Sequence, residues 1–297
     1  MKSLKNPKKV TLYVDKKRVA QLQKTLPCKV RAIASKKTVK GSLLINKSLE
    51  KSSKIQSKKK TEQGVIVNKS LDGKMIEDNQ GLVYELDKDG YYITKFDQKY
   101  DEKFNPIHTD ITIPQEINNT SVVGVKSQDV FQYCNSISSI TLSEGIELPK
   151  AAFMGCTNLK KVTFTKIILP QYYIPKVKRY LFRDCTSLAE VTLTDKMSTI
   201  GNYAFMNCTS LKKLTFPKAM QTIGAYAFYN TGLEEVILDA SQTHIDTKAF
   251  ANCKNLRSVI IRVLDDIRSH AFYNCTNLDK ITIKGFRKQN CAIESNA

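Results

Sequence analysis

Apolar positions in the second half of this chain follow one recurring phrase. In the stretch from Ile200 to Phe216 they fall at Ile200, at the pair Ala204-Phe205, at Cys208, and then at Leu211, Leu214 and Phe216. The phrase restarts 23 residues on, as Ile223-Gly224-Ala225-Tyr226-Ala227-Phe228. Its Phe recurs at 131, 153, 182, 205, 228, 250 and 272, in steps of 22, 29, 23, 23, 22 and 22 residues. Self-similarity at such a period marks an array of stacked coils that grows along one axis.

Each coil predicts a local geometry. The segment L-x-x-V-x-L, as in Leu256, Val259 and Ile261, ends in an alternating run that turns apolar side chains inward and their neighbours outward. Stacking these segments predicts a parallel sheet with one strand per coil. The Ala-Phe pair places a small residue and a ring inside, so the seven phenylalanines should form a continuous aromatic spine. One coil is longer. Between Phe164 and Phe182 lie six or seven extra residues, including Ile167-Ile168-Leu169-Pro170-Gln171-Tyr172-Tyr173-Ile174-Pro175. Insertions in solenoids map to loops on one edge, often a binding edge. Tyr172 and Tyr173 are residue types that anchor interfaces, and are therefore candidate protein-binding residues.

Upstream of the repeats the pattern changes. Leu82-Val83-Tyr84-Glu85-Leu86 and Tyr91-Tyr92-Ile93-Thr94 read as strands joined by the turn Asp87-Lys88-Asp89-Gly90. A hairpin there would cover the open apolar end of the first coil. Residues 76–125 are thus expected to cap residues 126–284, with 285–297 as a short tail. Lys8 to Asp15 alternates like a strand. The region from Ser35 to Lys60 is rich in Ser and Lys and reads as flexible, so residues 1–75 are expected as a largely flexible basic arm.

Charge sharpens this division. The chain carries +19 in 297 residues. Residues 1–75 hold 21 Lys and Arg against Asp15, Glu50, Glu62 and Asp72, a net +17, which leaves +2 for everything else. Lys58, Lys59 and Lys60 are the candidate contacts for an anionic partner, as a nuclear address or against phosphate backbones. No apolar run is long enough to span a bilayer and no apolar signal region follows the N-terminal lysines, so cytoplasmic residence is expected, with nuclear residence or unconventional export as alternatives.

Six of the eight cysteines (134, 156, 185, 208, 253, 275) stand three residues after a repeat Phe, with Thr231 as the exception. In stacked coils they form a column at roughly strand spacing, about 4.8 Å. They read as small buried groups whose weak S–H caps carbonyls at the turn, not as zinc ligands, because the paired-Cys spacing of a zinc site is missing. Cys28 and Cys291 lie outside the column. The three histidines form no catalytic constellation: His108 falls in a loop, His244 precedes Ile245, and His270 shares an outward column with Tyr180, Tyr203 and Tyr226. No P-loop or Rossmann fingerprint is present. No enzyme, metal or cofactor is expected.

The hairpin with D-G-Y-Y-I-T, the run I-T-I-P…I-N-N at 111–119, and coils of the form I-G-x-x-A-F-x-x-C-x-x-L-x-x-V-x-I resemble the BspA-type leucine-rich repeat, over about residues 82–284. The Gly of the I-G pair is replaced by Pro149, Lys178, Asp246 and Arg268 in other coils. The resemblance implies a repeat solenoid, mainly β, as a right-handed array of about seven 22–23-residue coils with a parallel sheet and an N-terminal β-hairpin cap. It implies adhesion or scaffolding through protein binding, and no catalytic residues.

The outward sheet positions carry alternating charge. One column runs Lys160, Ala189, Lys212, Glu234, Arg257, Asp279; its neighbour runs Lys161, Glu190, Lys213, Glu235, Ser258, Lys280. A third runs Thr141, Thr163, Thr192, Thr215, Ile237, Ile260, Thr282. Opposite charges on neighbouring strands oppose register slips, and the same face can present a ligand surface. Lys212, Glu234 and Arg257 are therefore candidate protein-binding residues. The function expected is non-enzymatic protein binding through the face and edge of the solenoid, with self-association through the last coil's open edge; the alternative is nucleic-acid or anionic-surface binding through the basic arm.

Overall fold

The structure, a computed structural model, describes residues 11–14, 29–32, 59–60, 66–69, 74–167 and 174–284, with side chains from 74–167 and 174–284. The chain divides into two compact units. One comprises Met1–Ser57 with Lys69–Asp72, and the other Lys58–Asn68 with Gly73–Ala297. In the first, β1 (Thr11–Val14) pairs in parallel with β2 (Lys29–Ala32), Thr11 opposite Lys29. The strand expected from Lys8 to Asp15 is thus present over four residues.

The second unit begins with an antiparallel sheet. Strands β3 (Lys59–Lys60), β4 (Ile66–Lys69), β5 (Met75–Asp78), β6 (Leu82–Asp87) and β7 (Gly90–Phe96) lie in that order. Residues 1–75, expected as a largely flexible arm, therefore contain strands, and the capping sheet reaches back to Lys59. The β6–β7 hairpin closes as its turn residues predict, with Asp87 opposite Gly90. Strands β8 (Asp110–Thr112), β9 (Glu116–Ile117) and β10 (Thr120–Val125) follow, β10 pairing in parallel with β7. A buried carboxyl ties this cap together. Asp78 accepts from the N–H of Gln80 and of Leu82, both 2.9 Å, and from the Tyr84 hydroxyl at 2.8 Å. Gln80 reaches across to the backbone of Thr112, accepting at 2.7 Å and donating at 2.9 Å, which joins the cap to β8. Burial pushes the Asp78 carboxyl up from the usual range of an aspartate.

From β8 onward the coils stack, and each contributes to one or both of two parallel sheets, where one sheet is expected from the sequence. The L-x-x-V-x-L segments form β11 (Ser139–Ser143), β12 (Lys161–Thr165), β14 (Glu190–Thr192), β17 (Glu235–Leu238), β19 (Ser258–Ile261) and β21 (Lys280–Ile283). The pair before the Gly position forms a second ladder: β13 (Lys176–Val177), β15 (Thr199–Ile200), β16 (Thr222–Ile223), β18 (His244–Ile245) and β20 (Asp266–Ile267). The first ladder is interrupted. Residues 211–216 form no strand, so it splits into a sheet ordered β14-β12-β11-β8 and another ordered β17-β19-β21. Pro217, which has no N–H to donate, follows directly.

Between the ladders the Ala-Phe segment turns a corner. Tyr203 and Asn207 flank Phe205 with φ of 60° and 62°, and left-handed residues recur two before and two after the Phe in almost every coil. Three overlapping turns result: Ala204 N–H to Gly201 O, Met206 N–H to Tyr203 O, and Cys208 N–H to Phe205 O. The remaining N–H groups of Tyr203, Phe205 and Asn207 point along the axis and donate to Ala225, Ala227 and Tyr229 of the next coil at 2.8–2.9 Å. Tyr133 stands two after the Phe in the first coil, with φ 58°; from the second coil onward, residues suited to the left-handed region fill that position: Gly155, Asp184, Asn207, Asn230, Asn252 and Asn274. Their side chains build a second line of bonds, with Asn207 Nδ2 donating to Asp184 (2.7 Å), Asn230 to Asn207 (3.0 Å) and Asn274 to Asn252 (2.6 Å). Gly155 has φ 73°, and a Cβ there would come within 2.2 Å of the Tyr133 ring.

The core follows the expected spine. Successive Phe rings from 131 to 272 stack at centroid distances of 5.1–5.6 Å, and Phe96 of the cap covers the first at 5.7 Å. Offset-stacked pairs add about 0.5–1.5 kcal/mol each beyond their burial. The cysteines cap carbonyls as expected: Cys156, Cys185, Cys208, Cys253 and Cys275 donate to the Phe carbonyl of the preceding coil at 3.0–3.2 Å. Thr231, in the column's exceptional coil, bonds its own Phe228 carbonyl instead, at 3.1 Å. Burial pushes the Cys156 thiol up to about 12 and raises those of Cys185 and Cys208 as well.

Two outcomes follow from this core. Phe205→Ala should cost about 3–5 kcal/mol through the cavity it leaves between two rings, measured by urea unfolding; an unchanged midpoint would contradict the spine. In the native protein at pH 8, Cys156, Cys185 and Cys208 should resist iodoacetamide and react only after unfolding, as peptide mass mapping would show. Their rapid alkylation in the folded state would contradict the carbonyl-capping column.

Candidate protein-binding face

The outward surface of the strand ladder is where the sequence-derived charges converge. Parallel register sets the rows. In the four-stranded sheet Lys161 stands opposite Glu190, and their side chains meet at 2.9 Å. Lys166 and Asp195, just beyond the strand ends, meet at 2.6 Å. In the three-stranded sheet Glu235 lies opposite Ser258, whose hydroxyl donates to it at 2.7 Å, and Arg262 stands 3.7 Å from Asp239. The expected role of these charges in fixing register is therefore realised in one column and at its ends.

Lys212, Glu234 and Arg257 behave differently. Their backbones are linked rung to rung, Glu234 N–H to Lys212 O at 3.0 Å and Arg257 N–H to Glu234 O at 2.9 Å. All three side chains are exposed, and among the described residues none of them forms an ion pair with another. A row of plus, minus and plus is thus presented outward instead of being consumed within the sheet. Beyond the intervening Glu235–Ser258 column, the third column changes chemistry. Thr141, Thr163, Thr192 and Thr215 give way to Ile237 and Ile260, cross-strand neighbours on β17 and β19. Ile237 is 47% exposed, although it sits mid-strand between the buried Val236 and Leu238. The result is a small apolar centre flanked on the same face by Glu235 and Ser258 on one side and by Asp239 and Arg262 on the other, with Glu234 and Arg257 one residue further out, the arrangement of an interface core and its polar rim.

The other sequence candidates fall elsewhere. Tyr172 and Tyr173 lie outside the described residues, as does Lys58. Lys59 and Lys60 form β3, paired with Val67 and Ile66 in the capping sheet. Among the described residues there is no group of three or more His, Cys, Asp or Glu side chains arranged to hold a metal ion, and no helix long and apolar enough to cross a membrane.

The repeat itself identifies the family. The BspA type leucine-rich repeat region matches in six copies, over residues 107–171 and 175–296. The chain belongs to this family. Among solved structures it is similar to a leucine-rich repeat protein of T. pallidum, at 20% identity over 68% of this chain and 90% of that chain, with a TM-score of 0.41. A leucine-rich cell surface protein from Faecalibacterium prausnitzii is 18% identical, covering 69% of this chain and 75% of that one, TM-score 0.39. A leucine-rich repeat protein from Eubacterium ventriosum is 17% identical, covering 70% and 60%, TM-score 0.39. No curated protein matches the sequence. Leucine-rich repeats of this type serve in general as interaction modules, and proteins built on them are typically not enzymes.

Proposed function

We propose that this leucine-rich repeat chain is a non-enzymatic adhesion or scaffold module whose protein partner docks on the outward face of β17 and β19. The observation that carries the reading is Ile237. A β-branched side chain exposed at mid-strand, in a column that is otherwise threonine through the first four coils, gains nothing from water there. Covered by a partner, a side chain of this size contributes about 1.5–3 kcal/mol. The neighbouring Lys212, Glu234 and Arg257 supply the sign pattern that a partner would match, selecting it and setting its register more than adding raw affinity. Such a face needs no closing motion and no cofactor.

The test is a capture experiment with the full chain as bait, quantified by mass spectrometry, followed by titration of the dominant captured protein. Ile237→Thr, which restores the residue of the preceding coils, should weaken that protein's binding by about tenfold while leaving the unfolding midpoint in place. Arg257→Glu should weaken it further by reversing one charge of the row. Retention of the same partner at the same affinity by both variants would contradict the assignment.

A further inference from the structure

The turn edge between the two strand ladders carries a second feature, separate from the face just described. Tyr180, Tyr203 and Tyr226 occupy the position two before the Phe in three successive coils, all with φ of 55–60°. A bulky residue in this left-handed region is an outlier that invites an explanation. The position two before the Phe is also filled by Ala151, Lys248 and His270 in other coils, so the left-handed backbone does not itself call for tyrosine, and the position two after it takes Gly, Asp or Asn in every coil but the first, where Tyr133 stands. Their rings stack at 4.9 and 5.0 Å, half-buried, in a line parallel to the Phe spine.

Cations gather at one end of this line. The Arg179 guanidinium lies 4.6 Å from the Tyr180 ring and 5.7 Å from the Tyr203 ring, and its Nη2 donates to the Tyr180 hydroxyl at 2.6 Å. Arg183 sits 5.7 Å from the same ring. Lys178 and Lys176 belong to the same coil, and Lys150 precedes Ala151, whose N–H donates to Arg179 O at 3.1 Å. Three carboxylates face the group: Asp184, paired with Arg183 at 3.1 Å, and Glu147 and Asp87, which share a cleft of about 340 Å³ with Lys178, Asp87 being paired there with Lys126 at 3.3 Å. Among the described residues Lys150, Lys176, Lys178 and Arg179 have no ion-pair partner. Two adjacent coils thus carry four cations without an ion-pair partner among the described residues, and one of them, Arg179, lies directly on the phenol row.

We infer that this edge binds a short acidic peptide segment. A guanidinium held against an aromatic ring, with one N–H donated to a hydroxyl and no ion-pair partner among the described residues, is preorganised for bidentate carboxylate recognition. The phenol hydroxyls along the row supply hydrogen bonds to peptide carbonyls. Single-stranded nucleic acid fits this edge less well. Such ligands stack their bases on open ring faces, whereas here the ring faces are taken by one another and by cations, with Lys248 5.5 Å from the Tyr226 ring. The cations also form a compact cluster instead of a track following a long backbone.

The experiment uses the full chain and fluorescence anisotropy with three probes: a labelled Glu-rich peptide, its Gln-substituted twin, and an oligothymidylate of equal charge. The Glu peptide should bind saturably and the Gln peptide should not. The double variant Lys178→Gln/Arg179→Gln should weaken the Glu peptide by about tenfold, the size of one or two lost charge-assisted hydrogen bonds. Lys58→Gln/Lys59→Gln/Lys60→Gln, in the basic segment, should leave it within about twofold, inside the range of exposed, screened charges. Arg179→Lys provides a variant of unchanged charge that should also weaken binding through loss of the planar fork, and matched melting temperatures confirm that each variant is folded. The proposal is overturned if the Glu peptide fails to saturate, or if the two sets of substitutions weaken it equally. It is also overturned if the oligothymidylate binds as tightly and depends on Lys178 and Arg179 in the same way.

Discussion

A coil of 22 or 23 residues cannot enclose a phenylalanine by itself, and the whole molecule follows from that constraint. Each ring in the spine is buried by the coil before it and the coil after it, at a separation of 5.1–5.6 Å. That distance sits close to the spacing of neighbouring strands, about 4.7–4.9 Å, so ring stacking and backbone pairing ask for the same rise per coil. The first ring has no preceding coil, and Phe96 of the antiparallel cap takes that place. The cap in turn is held to β8 by the buried bonds of Asp78 and Gln80. Stability in such an array is a sum over neighbours, so a defect in one coil is felt by the next.

The corner around each Phe shows how sequence serves this constraint. Left-handed residues on both sides turn alternate N–H groups along the axis, toward the following coil. Asn, Asp and Gly make the second corner inexpensive in every coil but the first, and the Asn and Asp side chains bond to each other between neighbouring coils. The thiols finish the arrangement by donating to Phe carbonyls, which already accept a turn bond from their own coil. The first corner is filled with Ala151, tyrosine, lysine and histidine, and there the chain accepts strain.

Much of this was legible in the sequence, and the parts that were not have physical reasons. The Phe spine, the Cys column and the β6–β7 hairpin are written in spacing and turn residues, which act locally. The second ladder is not, because Thr199-Ile200 and its equivalents are two residues long and too short to show alternation. The interruption at 211–216 is likewise silent, since Leu211, Leu214 and Phe216 keep the spacing of their neighbours. Side-chain pairing across coils was legible only in part: Lys161 meets Glu190, whereas Lys212, Glu234 and Arg257 share a row without meeting. Register brings charges opposite each other, but exposed rotamers decide whether they touch. The tyrosine column was visible as a column; its left-handed backbone and its stacking with Arg179 were not.

The protein binding proposed for this family member would rest on a rigid array, with an apolar centre at Ile237 on one face and cations along the turn edge. Rigidity comes from the axial N–H bonds of the Phe segment, so their protection is the most direct test of the account. Amide hydrogen exchange of the full chain would measure it. Phe182, Phe205, Phe228 and Phe250 should exchange slowly and together, as one cooperative unit limited by opening of the stacked coils. Exchange of these four amides at the rate of an open chain, or at four unrelated rates, would contradict a spine that the coils build in common.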